Sequence, residues 1–177
     1  TNSFTVGTGV LSGGYALTKV GSGTVTLSGS NTYTGGTTIS DGILKSGSAT
    51  AFGTGDVVVS SGAVDLNGQT MTSAGLLTLN GTGISSGGAL LNSNSTTATY
   101  AGLVTLGSSS SILGGTGRIT LSNPGTIVGS GYGLTLGGAS GGTIASIIGT
   151  GSGTLTKQDA GTWTLSGANT YTGGTTI

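Results

Sequence analysis

The 177-residue chain contains no cysteine, no histidine and no glutamate, and only one proline, Pro124. The absence of cysteine excludes disulfides, thiolate nucleophiles and cysteine-based metal sites. The absence of histidine removes the commonest general base. We therefore predict that the chain is not an enzyme, with no catalytic residue, no cofactor or cofactor-binding residue, and no metal ligand.

Charge and long apolar runs are equally scarce. Four aspartates and four cations give a net charge of zero, and the cations form no basic patch, which argues against a nucleic-acid partner. No apolar run reaches the length of 18 or more residues typical of a membrane-spanning helix. The first residues, TNSFTVGTGV, lack the basic segment and apolar core of a secretory signal. We predict no membrane span in this segment.

What the chain has in abundance is small and β-forming residues. It contains 40 glycines, and threonine, valine and isoleucine are plentiful. The mean hydropathy of +0.29 with zero net charge is not typical of a disordered chain. Glycine does not recur at every third position, so the chain is not collagen-like. Composition therefore predicts an all-β fold of short strands with turns rich in Gly, Ser and Asn.

The strands are recognisable as two apolar residues flanking one polar residue, which places the apolar side chains inward and the polar one outward. Three of their leucines, Leu106, Leu121 and Leu136, recur at intervals of 15 residues. The predicted strands are 25–27, 64–66, 77–79, 104–106, 119–121, 134–136 and 163–165.

A long internal repeat joins the two ends of the chain. Residues 17–39, LTKVGSGTVTLSGSNTYTGGTTI, return as residues 155–177, LTKQDAGTWTLSGANTYTGGTTI, with 18 of 23 positions identical. Identity at a fixed offset is typical of repeat architectures. Very short strands with tight turns favour a parallel β-solenoid, in which each turn of the chain stacks on the one before.

We expect turns of roughly 20–25 residues, hence about seven to nine turns and a rod about 35–45 Å long. No helix, charged cluster or proline protects either end as a cap, so we predict that residues 1–177 are a single continuous solenoid cut from a longer tandem array. The repeating block would then be 138 residues, or about six or seven turns.

The string LTKxGxGTxTLSGxNTYTGGTTI resembles the autotransporter-associated β-strand repeat, also called the passenger-associated transport repeat. Residues 42–68, GILKSGSATAFGTGDVVVSSGAVDLNG, resemble its usual continuation. Residues 155–177 depart from it at Gln158, Asp159 and Ala160. The resemblance implies a right-handed parallel β-helix and display outside the cell, or on the outer surface, of a Gram-negative-type bacterium. It implies no catalytic residues.

Several side chains were weighed for chemistry and given structural interpretations. Asp56 and Asp65 would form an enzyme site only as a close pair, so we expect them to be separate residues at turns or on outward faces. Lys19 and Lys157, equivalent in the repeat, are expected to be solubilising charges. Equivalent Tyr33 and Tyr171 are expected to pack at a corner rather than to form an outward stacking platform.

Other motifs are weaker still. GTGD at 53–56 occurs once, without the nine-residue aspartate period of a calcium β-roll, and GGTG at 114–117 is no phosphate loop. Asn80-Gly81-Thr82 and Asn94-Ser95-Thr96 fit a glycosylation sequon by chance. Thr-x-Thr pairs recur at irregular spacing, and an ice-binding face would require them to align once per turn.

We therefore expect a structural, non-catalytic extracellular rod or fibre-forming surface protein, serving as a stalk, filament or adhesin scaffold. Self-association, end to end or laterally, and contacts with cell surfaces or glycans are the expected partners. The alternative is a ligand-binding β-solenoid, either a glycan adhesin or an ice-binding threonine face.

Overall fold

The structure, a computed structural model, describes residues 3–72 and 74–177. Within these residues the chain forms twenty short strands and one 3₁₀ turn at Ile84–Ser86. The strands are β1 Phe4–Val6, β2 Leu17–Lys19, β3 Thr24–Leu27, β4 Thr37–Ile39, β5 Ile43–Ser46, β6 Val57–Val59, β7 Ala63–Asp65, β8 Thr70–Met71, β9 Leu77–Gly81, β10 Leu90–Asn92, β11 Ala98–Tyr100, β12 Val104–Gly114, β13 Ile119–Leu121, β14 Thr126–Val128, β15 Leu134–Gly137, β16 Gly142–Ile144, β17 Ile147–Gly149, β18 Leu155–Lys157, β19 Trp163–Leu165 and β20 Thr175–Thr176.

The strands stack in parallel ladders that form three faces of a β-solenoid, which the chain visits in the order A, B, C. Face A contains β2, β4, β6, β9, the first half of β12, β14 and β17. Face B contains β1, β3, β5, β7, β10, the second half of β12, β15, β18 and β20. Face C contains β8, β11, β13, β16 and β19.

Face B gives the number of turns. Its nine described strands make eight steps from β1 to β20, which agrees with the seven to nine turns expected. Successive partners lie 19 residues apart at Val25 and Leu44 but 26 apart at Val64 and Leu90. The added residues form the exposed loop around the 3₁₀ turn, so insertions project from a corner without disturbing the ladders.

The core is a set of apolar columns along the solenoid axis. On face B, Leu44, Val64, Leu90, Ile112 and Leu136 stack in register, and all are buried. Burial of each such side chain contributes about 1.5–3 kcal/mol relative to exposure. Because strands of three or four residues have few backbone hydrogen bonds of their own, this continuous column stabilises the stack.

Glycine is required where adjacent turns come close. Gly42 has a φ of 67°, and a Cβ there would collide with the carbonyl oxygens of Gly21 and Gly23. Gly142 is required for another reason. Its ladder partner is Trp163, and a Cβ on Gly142 would lie 2.7 Å from the indole ring.

The all-β parallel solenoid predicted from the sequence is confirmed, and each predicted strand overlaps an observed one. The 15-residue spacing of leucines proves to be a spacing of faces rather than of turns. Leu106 lies on face A, Leu121 on face C and Leu136 on face B, so each interval covers two faces of the three.

Candidate functional surface

The repeated motif contributes an asparagine that ties neighbouring turns together. The side-chain oxygen of Asn31 accepts a hydrogen bond from Leu11 N at 2.9 Å, and its amide nitrogen donates to Ala51 O at 2.6 Å. Asn31 is buried, so these bonds replace all contact with water. Equivalent Asn169 accepts from Ile148 N at 2.8 Å. The motif therefore uses its asparagine to join one turn to the turns beside it.

The motif tyrosine closes the corner formed by the Gly-Gly turn. The phenol oxygen of Tyr33 lies 2.6 Å from Thr37 Oγ1, and the ring is buried. Burial raises the pKa of Tyr33, although its hydrogen bond with Thr37 acts in the opposite direction. The second copy repeats this contact between Tyr171 and Thr175 at 2.7 Å. Corner packing is thus observed, and the Tyr33 ring is not an outward stacking platform.

Lys19 contradicts the sequence-based interpretation of a solubilising surface charge. Its side chain is only 5% exposed and lies in an inward column with Ile39. The ammonium group donates to the carbonyl oxygens of Val20 and Asp41 at 3.0 Å and also to that of Gly21. Burial lowers the pKa of Lys19, while the charge of Asp41 raises it. The pattern of one lysine after a strand does not distinguish this inward clamp from an exposed charge.

Asp65 is also buried, although it points away from the core column. Its carboxylate accepts hydrogen bonds from Asn67 N at 2.9 Å, Ser93 N at 3.0 Å and Ser93 Oγ at 2.6 Å. Lys45 Nζ lies 3.5 Å away as an ion-pair partner. The carboxylate thus fixes a corner between two turns, with its lone pairs directed at protein groups.

The other aspartates also bond to backbone amides. Asp41 accepts from Gly42 N at 2.7 Å, Asp56 from Leu76 N at 2.9 Å and Asp159 from Gly138 N at 2.8 Å. Asp56 precedes a face-A strand, whereas Asp65 ends a face-B strand. The structure does not bring these two together as partners of a common group. Among residues 3–72 and 74–177, no three acidic, histidine or cysteine side chains form a cluster that could hold a metal ion.

Asn92 is a structural residue that the sequence analysis missed. It is fully buried, and its amide nitrogen donates to Thr96 O at 2.8 Å and Arg118 O at 2.9 Å. Its oxygen accepts from Gly68 N at 2.9 Å. The signal was present as asparagine immediately after a predicted strand, but the same pattern also suits a solvated turn.

Both sequon asparagines also make hydrogen bonds to the backbone. Asn80 donates to Val59 O at 2.8 Å, and Asn94 accepts from Thr96 N at 2.9 Å. Each therefore has a structural role within its corner, which accounts for its presence without a glycan.

Threonine forms a regular outward column on face C. Adjacent members pair directly across neighbouring strands, in the order Thr70, Thr99, Thr120, Thr143 and Thr164. Their spacing along the chain varies because the loops differ in length, but the register does not. Successive hydroxyls are therefore about 4.8 Å apart along the rod. The irregular sequence spacing did not predict this alignment, although the column is only one threonine wide.

The interior offers little space for a ligand. A cavity of about 10 Å³ lies between Phe52, Met71 and Tyr100, which is at most enough for one water molecule. The Tyr100 hydroxyl donates to Gly75 O at 2.7 Å beside it. The arrangement of the motif side chains is therefore that of a scaffold, in which reactive groups are used to join turns.

Comparison with known families agrees with this geometry. The family model named passenger-associated-transport-repeat matches residues 17–45 and 155–177. The chain carries passenger-associated-transport repeats. In the first match, the repeat therefore spans the strands β2 to β5 together with the buried Lys19, Asn31 and Tyr33.

A curated relative points in the same direction. The chain is 46% identical over 66 residues to a protein named Adhesin BmaC autotransporter, from Brucella suis biovar 1 (strain 1330). The match includes 36% of this chain and 2% of the relative, so the chain spans only a small fraction of that protein's length. No solved structure matches the chain. Within the described residues, no helix has the length and apolar character needed to cross a membrane.

Proposed function

We propose that the chain is part of a non-catalytic, surface-displayed scaffold of the adhesin type, located outside the cell or on the outer surface of a Gram-negative-type bacterium. The observation that carries this proposal is the use of the repeat's polar side chains. Lys19, Asn31 and Tyr33 all bond within the solenoid, so the conserved labour of the motif is to hold turns in register. The passenger-repeat match and the adhesin relative support the cellular setting.

A stiff rod suits such a role because its length grows by about 4.8 Å for each added turn. Zero net charge removes electrostatic repulsion between rods, which favours end-to-end or lateral association into fibres. We propose that the 138-residue block is the unit of a longer tandem array in the full protein. A stalk or filament of this kind would place binding surfaces at a distance from the cell.

The location is tested by immunogold labelling of intact source bacteria with antibodies raised against residues 1–177. Labelling of unpermeabilised cells, removed by external protease, is expected. Signal that appears only after permeabilisation would contradict surface display. In parallel, the purified chain is expected to compete with the bacteria for attachment to epithelial monolayers, whereas a matched concentration of an unrelated solenoid protein should not.

The threonine column of face C favours a second candidate, a solenoid that binds a glycan or an ice surface. Its five aligned hydroxyls and methyls present a regular uncharged row. Thr120→Lys would place a charge at the centre of that row, and Thr38→Lys on face A is the matched control. Thermal hysteresis or a glycan-array signal lost only in the Thr120→Lys variant supports this candidate, and the absence of both activities in the parent chain contradicts it.

A further inference from the structure

The two copies of the repeated motif lie on different faces of the solenoid. In the first copy, β2 lies on face A and β3 on face B. In the second copy, the equivalent strands β18 and β19 lie on faces B and C. The same 23-residue sequence has therefore moved forward by one face.

The ladders allow this displacement to be counted. On face A, six steps in register lead upward from Thr18, through Thr38, Val58, Thr78, Thr105 and Val128, to Gly149. Thr156, which is equivalent to Thr18, lies on the next face that the chain visits. The 138-residue block therefore makes six and one-third turns, or nineteen faces.

The motif keeps its local contacts in its new position. The tyrosine-threonine bond measures 2.6 Å at Tyr33 and 2.7 Å at Tyr171. The asparagine bond to the preceding turn measures 2.9 Å at Asn31 and 2.8 Å at Asn169. Because these contacts lie within the motif and with the turn directly beneath it, the motif does not depend on which face it occupies.

We propose that the 138-residue block is a face-switching unit, which presents successive copies of the motif one-third of a turn further around the rod. This inference rests on the proposed function as a surface-displayed array. Three blocks, or 414 residues, would complete nineteen whole turns and return the motif to its first face after about 91 Å. A block of a whole number of turns would instead put every copy in one row.

The consequence is a rod with no preferred side. A partner that recognises the outward edge of the motif would find it in three rows, 120° apart. A rod lying against a flat surface would engage every third copy at most, while the other two rows remained available to other rods or surfaces. Multivalent contact in several directions is gained without any change in the sequence of the motif.

Spin-label distances in this chain test the displacement, and the absence of native cysteine makes the labelling specific. The equivalent pair is Thr18→Cys with Thr156→Cys. The matched control pair is Thr24→Cys with Thr156→Cys, which lie on the same face B six turns apart. The control distance should be about 29 Å between backbones, and the distance of the equivalent pair should be longer because it also crosses a corner. The opposite order would overturn the proposal.

A disulfide trap gives an independent reading in case spin labels disturb the stack. Thr135 and Thr156 are direct ladder partners, so Thr135→Cys with Thr156→Cys should oxidise to a disulfide. Val128→Cys with Thr156→Cys should remain reduced, and its cross-linking would place the second copy on face A and overturn the inference. Both experiments depend on the fold alone, so their failure is distinct from a failure of immunogold labelling, which tests surface display.

Discussion

The hydroxyl groups of Tyr33 and Thr37 meet at 2.6 Å across the turn formed by Gly35 and Gly36. Both side chains are buried, so neither hydroxyl has water as a substitute partner. The equivalent pair, Tyr171 and Thr175, keeps the same bond but is more exposed. The repeat thus supplies the same contact in two environments.

Tyr33→Phe should reduce the free energy of unfolding by about 1 kcal/mol, because Thr37 Oγ1 loses its close partner inside the solenoid. Tyr171→Phe is the matched control and should cost less, since water can replace the phenol there. Urea unfolding followed by far-ultraviolet circular dichroism measures both. Equal losses for the two variants would show that burial does not set the strength of this contact.

Asn31→Asp should cost more, about 2–3 kcal/mol, because it replaces the amide donor to Ala51 O with a charged oxygen in a buried position. Asn169→Asp changes the same motif position where the side chain is exposed, and should cost well under half as much. Hydrogen exchange at the amide of Leu11 provides a local readout. Unchanged protection and stability in Asn31→Asp would contradict the role assigned to Asn31.

Lys19→Met should lower stability by about 1–3 kcal/mol, although it retains most of the apolar side-chain length. The reason is that the carbonyl oxygens of Gly21 and Asp41 lose the ammonium donor. Lys157→Met, at the more exposed equivalent position, is the control and should change stability less. A gain in stability for Lys19→Met would mean that desolvation of the charge outweighs its three hydrogen bonds.

Stability should fall steeply above about pH 10.5. Burial raises the pKa of Tyr100, with the charge of Asp56 adding to the effect, and burial also raises that of Tyr33. The unfolded chain then loses phenolic protons that the folded chain keeps, which costs about 1.4 kcal/mol per pH unit for each tyrosine. Urea midpoints measured from pH 8 to 12 give the slope, and a Tyr33→Phe, Tyr100→Phe double variant should show a flatter profile.

Lys19 acts in the opposite direction over a lower range. Because burial lowers its pKa below the ordinary value of 10.5, the unfolded chain binds more protons between those two values, and stability rises with pH there. Above 10.5 the lysine is deprotonated in both states and adds no slope. A fall in stability that Lys19→Met abolishes would therefore contradict the assignment to the tyrosines.

The strands and the parallel solenoid could be predicted because alternation is written locally. Val25-Thr26-Leu27 and Ile119-Thr120-Leu121 each state an inward and an outward side in three residues. The number of turns followed from strand length and chain length. The faces could not be assigned in the same way, because a period of 138 residues does not reveal how many corners lie within it.

The polar interior could not be predicted for a related reason. Lys19 and Asp65 are charged residues in strands, and charge alone favours a solvent-exposed position. Their burial depends on partners that lie one turn away, such as the Asp41 carbonyl and the Ser93 hydroxyl, about 22 and 28 residues along the chain. Only the register of neighbouring turns brings those groups together, and the loop of the 3₁₀ turn shifts that register by several residues.

Stacking also determines how the chain can acquire its structure. Each strand pairs with one laid down about 19–29 residues earlier, as in Val25 with Leu44 and Thr70 with Thr99. No pairing in the described ladders needs segments from opposite ends of the chain, so the entropy of closing each loop stays small. Once one turn has formed, its open strand edges are a template for the next, and order can advance along the chain in one direction as residues become available.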